Sequence, residues 1–273
     1  MTFPEAGAAR EAYIIDQVRQ GRFEVEFATI TSDYNGHHAE FQVFADALKV
    51  DGVRVNVNAQ TQQIIADMTG CMLLTPKLAD LIWMQRQVTL PPMPRPITSA
   101  TAAMIDQSKK IDAALAKLGN PKGLICTVGK HWVIDNDLSQ TKLIYGVHGA
   151  ENYGWHFEGA SYQGIVGEQI ASGFKDPNGR VYRLIQGRGW AHNMSEVDYS
   201  QICICVAIMC KVDGQDMDIR DLLRDPNLAP LASHNGVMKF FRQPGVPEPT
   251  DHTIIMPMIT ITASPGSDPD TSA

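Results

Sequence analysis

Four of the six residues from Pro91 to Pro96 are proline, in the run Pro91-Pro92-Met93-Pro94-Arg95-Pro96. Each proline ring fixes φ and removes a backbone N–H, so this stretch can neither continue a helix nor sit inside a sheet. It must run extended and semi-rigid. It therefore divides the chain, either as a joint between two folded parts or as an arm laid across one. The expected division is a helix-rich N-terminal region at 1–90, a connector at 91–98, an α+β region at 99–263 and a frayed tail at 264–273.

Before the proline run, apolar spacing predicts a helix over 5–20, where Ala8, Ala9, Ala12, Ile15 and Val18 recur and Gly21 stops it. Phe23-Glu24-Val25-Glu26-Phe27 alternates apolar and charged residues, as a half-buried strand does. Turn chemistry at Asp33-Tyr34-Asn35-Gly36 returns the chain as a second strand over 38–43, and Val53 to Val57 alternates again. These make a small antiparallel sheet. A helix over 60–69 closes at Gly70, and Thr75-Pro76 is an N-cap followed by proline at the first helical position. An alanine-rich helix follows the proline run over 99–118. From Gly123 on, strands are expected at 124–128, 132–134, 143–147, 181–186 and 201–209, with a turn at Asp176-Pro177-Asn178-Gly179 and a short helix over 217–223. The fold class expected is α+β, with a helix-rich N-terminal half carrying the small sheet and a strand-rich C-terminal half.

Composition excludes some classes of partner. Hydrophobic residues at 44% supply a sizeable core, and the net charge of −7 argues against nucleic acid, which needs clustered Lys and Arg. No stretch approaches the roughly 20 apolar residues of a membrane span. The start carries no basic, then apolar, leader pattern, so the default compartment is the cytoplasm, with a secreted mature form equally compatible. Cys203, Cys205 and Cys210 fall in an apolar run, where they and Cys71 and Cys126 read as buried, reduced thiols.

Chemistry concentrates in two glycine-punctuated runs, His148 to Glu158 and Gly187 to Ser200, both placed between strands. If those strands pair, His156, His192, Asp198 and Ser200 converge as a catalytic cluster. In it a histidine takes a hydroxyl proton, Asp198 orients the histidine, and Ser200 is the nucleophile or a hydrogen-bonding partner. Tyr153, Trp155, Trp190 and Tyr199 would then bind substrate, with Tyr153 or Tyr199 as an oxyanion donor. Gly159-Ala160-Ser161-Tyr162-Gln163-Gly164 is one residue longer than the nucleophile-elbow pattern. Paired carboxylates for glycoside cleavage are a further reading, with Glu151, Glu158 and Asp198 beside Trp155 and Trp190. The interval from Gly123 to Gly129-Lys130 has one residue too many for a phosphate-binding loop.

The order His131, then Asp135 or Asp137, then Trp155-His156 resembles zinc-dependent D,D-peptidases of the cell wall. It departs from them in the spacing after His131 and in Tyr153, which stands where they carry a glutamate. Zinc is thus a minor alternative, and the leading reading requires no cofactor and no metal ligand. A broader resemblance rests on Thr75-Pro76-Lys77-Leu78, Asp80-Leu81-Ile82-Trp83, Tyr153-Gly154-Trp155-His156 and Asp198-Tyr199-Ser200-Gln201. In these the chain resembles a scattered group of bacterial proteins with no assigned activity. The resemblance spans about residues 40 to 235 and implies one continuous unit across the proline run. The function expected is a hydrolase acting on a polymeric substrate, cell-wall polymers included. The competing class is a non-catalytic binding or assembly protein using an aromatic surface.

Overall fold

The computed structural model describes residues 2–126, 128–136, 142–158, 174–175, 181–256 and 259–262. Its largest sheet starts from the hairpin of β1 (Glu24–Tyr34) and β2 (His37–Phe44), in register from Phe27 opposite Phe44 to Tyr34 opposite His37. Asn35 and Gly36 are the two loop residues, both at positive φ (50° and 87°). That is the turn whose twist matches antiparallel strands, and only residues tolerant of left-handed backbone fit it. The short strands β3 (Lys49–Val50), β4 (Val53–Arg54) and β5 (Cys71–Leu73) extend the sheet. A separate parallel pair joins β6 (Val88–Thr89) to β7 (Ile125–Cys126).

Helix α1 (Ala8–Arg19) precedes the hairpin, and α2 (Ala59–Met68) begins at Asn58, whose side chain accepts the Thr61 N–H at 2.8 Å. Helix α3 (Pro76–Met84) begins at Thr75, whose hydroxyl accepts the Leu78 N–H at 3.1 Å. In both, a short polar side chain satisfies a donor that the first helical turn leaves unpaired. Helix α4 (Thr101–Lys117) follows the proline run, which lies across the body. The Met93 carbonyl accepts from Gln107, the Arg95 N–H donates to the Tyr199 hydroxyl at 2.8 Å, and the Tyr199 N–H donates to Thr98.

The second sheet is built from β8 (Lys130–Val133), β9 (Leu143–Ile144), β10 (Val147–Glu158), β11 (Phe174–Lys175), β12 (Val181–Asn193) and β13 (Gln201–Ile202). Its order is β11-β12-β10-β8-β13, with β9 on β10. The chain then returns to the first sheet as β14 (Cys205–Ala207), β15 (Met209–Val212) and β16 (Gln215–Asp218), forms α5 (Ile219–Arg224), and later contributes β17 (Ile259–Thr262) parallel to β1. The five cysteines are all buried.

This architecture overturns the expectation of a helix-rich N-terminal half with a small sheet followed by a strand-rich C-terminal half. The sheet begun by the N-terminal hairpin is the largest, with nine strands among the described residues, four of them from beyond residue 200. A helix, α5, also lies in the C-terminal part. The physical reason is that a lone hairpin cannot bury its apolar face and needs further strands. Local alternation marks a strand but does not name its partner. One hydrophobic core accordingly runs from Phe3 to Met238 and includes Ile30, Leu73, Trp132, Val206 and Leu222. No helix among the described residues is long and apolar enough to cross a membrane. The expected turn at 176–179 and the tail at 264–273 lie outside the described residues.

Arg54 ties the sheet to α4. Its side chain is 2% exposed, its Nε donates to Asp46 at 2.9 Å, and its Nη1 donates to Asp112 at 2.5 Å. Removing Arg54 leaves Asp46, 16% exposed, with the longer Lys49 contact at 4.0 Å in place of its bidentate partner, while the half-exposed Asp112 turns to water. Arg54→Ala is expected to cost about 3 kcal/mol, read as a lowered urea midpoint. An unchanged midpoint would show that the cluster contributes nothing net.

Candidate functional site

A buried polar cluster centres on Asp80, on the face of α3 that packs against β10. Asp80 is 3% exposed. Its Oδ1 accepts from His156 Nε2 at 2.8 Å and from the Tyr153 hydroxyl at 2.9 Å, and its Oδ2 accepts from His234 Nε2 at 2.8 Å. Burial alone would raise this carboxyl, but the hydrogen bonds and charge of His156 and His234 outweigh it and hold Asp80 below the ordinary carboxylate range. The carboxylate is therefore ionised, and each histidine presents its Nε2–H to it. Burial, then Asp80, pushes the Tyr153 phenol up, which keeps it a proton donor.

Tyr153 and His156 are three apart on one strand, a spacing that regular β structure would send to opposite faces. The strand breaks its alternation between them. Gly154 and Trp155 both have positive φ, 105° and 57°, and the β10–β12 register shifts on either side of Asn152. Left-handed backbone is uncommon outside glycine and marks a local constraint. At Gly154 a Cβ would also meet His131 Cδ2 at 3.0 Å. The glycine thus lets the His131 and His156 rings approach each other. Aromatic rings pack around His156: Trp83 stacks on it with centroids 5.6 Å apart and planes 14° apart, and Tyr182 lies at 5.6 Å. The Arg86 guanidinium lies 3.7 Å from the Trp83 ring centroid.

His234 reaches Asp80 because its loop is fastened to the start of α3. Thr75 donates its hydroxyl to the Ala232 carbonyl, and Lys77 donates to the Pro230 carbonyl. The His234 side chain is 49% exposed while Asp80 is 4% exposed, so the pair runs from solvent to interior. The next residue, Asn235, donates to Asp135. Asp135 and Glu151, both with side chains 0% exposed, share the Arg188 guanidinium, which pairs with Asp135 and reaches Glu151 Oε1 at 3.1 Å. The dipeptide His234-Asn235 therefore joins two buried charged clusters.

Of the residues expected to converge, the structure brings Tyr153 and His156 together and separates the others. His192 stands opposite Ala150, whereas His156 stands opposite Leu184, six residues further along β10. At a rise of about 3.3 Å per residue the two histidines are roughly 20 Å apart. His192 instead pairs with Glu196 at 3.0 Å and sits edge-on to Trp132. Asp198 Oδ1 accepts both the N–H of Ser200 (2.7 Å) and its hydroxyl (2.5 Å), Gln201 accepts the Asp198 N–H, and Lys130 lies 3.4 Å from Asp198 Oδ2. This is a side-chain-closed turn. Neither Asp198 nor Ser200 bonds a histidine among the described residues. Trp155 (3% exposed) and Tyr199 (6%) pack edge to face in a small apolar cluster. Trp190 lies on β12 with its side chain outside the described residues; Asp137 and Ser161 lie outside them altogether. For zinc, no three His, Cys, Asp or Glu side chains among the described residues are grouped to hold a metal ion.

His131 is buried, its Nδ1 has no hydrogen-bond partner among the described residues, and burial followed by the nearby His156 charge lowers it from 6.5 to about 3. An unfolded chain takes up this proton as pH falls through about 6.5, whereas the folded chain refuses it until about 3. Stability therefore falls with acidification in that window, by up to ~1.4 kcal/mol per pH unit for one proton. Asp80, with its pKa depressed, adds a loss of the same sign below its ordinary range. The ΔG–pH slope between pH 6.5 and 4, from denaturant melts, is expected to shrink in His131→Gln; equal slopes in both proteins would place His131 outside this linkage. Gly154→Ala is expected to cost about 1–3 kcal/mol, through the strained φ and the contact with His131, and a melting temperature equal to the native one would contradict that. No protein-family model, curated protein or solved structure matches this chain.

Proposed function

We propose that this protein is a hydrolase in which His234, oriented by Asp80, is the general base. The observation that carries the reading is a half-exposed imidazole whose Nε2–H is held at 2.8 Å by a buried, ionised carboxylate. Such a carboxylate fixes the tautomer, turns Nδ1 outward as the proton acceptor and stabilises the imidazolium that forms. A water at Nδ1 would lose its proton to His234 as its oxygen bonds to the substrate's electrophilic centre; the bond to the leaving group then breaks, and the imidazolium returns that proton to the departing oxygen or nitrogen. His156 and Tyr153 hold the second face of Asp80 and keep it from rotating away; they act as positioning residues. Asn235, the next residue of the same loop, and Arg188, on β12 with its side chain 35% exposed, would orient a polar substrate group. A polymeric substrate, cell-wall material included, fits a base at the protein surface rather than in a closed chamber.

The binding-protein alternative uses Trp155 and Trp190 as contact surface; Trp155, 3% exposed, supplies none, and the Trp190 side chain lies outside the described residues. A screen of the purified protein on nitrophenyl esters, nitrophenyl glycosides and insoluble peptidoglycan tests the hydrolase. Turnover on one class is expected, with a fall of about 10²–10⁴-fold in His234→Gln at unchanged melting temperature. Inactivity of the native protein on all three, or full activity in His234→Gln, would refute the assignment. Activity lost in Ser200→Ala but kept in His234→Gln would return the chemistry to the serine.

A further inference from the structure

Four hairpins among the described residues turn on two-residue loops, and one of them breaks the pattern of the others. The loops are Asn35-Gly36, Asp51-Gly52, Asp213-Gly214 and, between β9 and β10, Tyr145-Gly146. In each, both residues have positive φ; the first residues lie at 50°, 49°, 51° and 52°. Asparagine and aspartate suit that position, and a bulky aromatic residue there is an outlier. No described residue covers Tyr145, which is 93% exposed, and Leu143, two residues before it, is 62% exposed. Strained backbone held without any packing gain points to a contact outside the fold.

A second feature joins this tip to the Asp80 site. The segment 234–245 starts where His234 meets Asp80, which also holds His156. It ends on the tip hairpin, where Gln243 donates to the Gly149 carbonyl at 2.7 Å and Gly245 lies so close to the His148 ring that a Cβ would collide with it. The segment therefore follows β10 from the candidate base toward the tip, with Asn235, Val237 and Lys239 exposed along it. Tyr145 stands eleven residues before His156, on the order of 30 Å away at the rise of a strand.

We propose that Tyr145 is the far end of an extended glycan-binding track that begins at His234, its ring stacking on a sugar several rings from the bond to be cleaved. This deepens the hydrolase reading and rests on it for the reactive end. Pyranose rings carry apolar C–H faces that stack on an aromatic ring and need no counter-charge. Single-stranded nucleic acid also stacks on such rings but needs a cationic groove, and this chain has a net charge of −7. A stable protein partner covers about 800 Å² on each side, far more than two side chains offer.

Calorimetric titration of the full chain with the hexasaccharides and disaccharides of chitin and of cellulose tests the proposal. One hexasaccharide is expected to bind about tenfold tighter than its disaccharide, and Tyr145→Asn to lose that advantage. Because asparagine suits this turn, the same variant should melt about 1–3 °C higher, so lost binding would not reflect lost folding. Equal affinity for both lengths, no binding of either hexasaccharide, or native-like binding by Tyr145→Asn would each overturn the track. A dimer seen by light scattering and lost in Tyr145→Asn would give the tip to a second copy and overturn it too. His234→Gln should bind the hexasaccharide as the native chain does. Such binding without turnover by the native protein would sink the hydrolase alone, and turnover of nitrophenyl esters without it would sink the track alone.

Discussion

A single ionised carboxylate, buried under three hydrogen-bond donors, organises the centre of this molecule. Taking such a charge out of water costs several kcal/mol, and the cost is offset only if its lone pairs are filled. At Asp80 the donors come from a helix-facing strand (Tyr153 and His156) and from a distant loop (His234). Each must be delivered accurately, and each delivery has its own device. Thr75 caps α3 and also grips the loop of His234, so the helix start and the outer histidine are fixed by one hydroxyl. The left-handed step at Gly154–Trp155 delivers the other two.

The loop that carries His234 does more than close this site. Val237 and Lys239 bond the two ends of the Asn136 side chain, and Asn235 reaches Asp135. Among the described residues Arg188 is the cation that Asp135 and Glu151 share, and Asn235 and the Asn136 N–H add neutral donors to Asp135. Further on, Gln243 and Arg242 clamp α2 through Gln63 and Asp67. The segment from 229 to 248 thus works as a strap over both sheets. It has almost no regular secondary structure, so its order comes from side-chain bonds to elements already formed.

Local patterns were legible in the sequence, and long-range ones were not. The hairpin at Asn35-Gly36, the cap at Thr75-Pro76 and the helix after the proline run each follow from backbone rules acting over a few residues, and each is present. The size of the first sheet was hidden, because β14 to β17 join it from far along the chain and alternation does not encode partners. The same limit governed the site. His156 and Tyr153 stood out in a dense aromatic run, whereas Asp80 is one acid on an amphipathic helix and His234 sits in a plain polar turn. The only local signal for Asp80 was an acid on the apolar stripe shared with Trp83, three residues on. The Asp198-Tyr199-Ser200 segment drew attention for its chemistry, yet its residue types also suit a self-closing turn, and proximity in sequence could not tell the two apart.

The left-handed pair on β10 sets a limit on how this sequence can drift. A strand that kept Tyr153 and His156 but regularised the two residues between them would turn one of the side chains to the opposite face and leave Asp80 a donor short. Position 154 is the narrower of the two, since it needs both the unusual φ and room for the neighbouring imidazole ring. Divergent chains built on the same plan should therefore hold glycine at 154 and keep at 155 a large apolar residue that tolerates that backbone and fills the cluster with Tyr199. A Tyr-Gly-aromatic-His tetrad, together with an aspartate on a helix begun by Thr-Pro, is a physical signature by which distant copies of this arrangement can be picked out when overall similarity has faded.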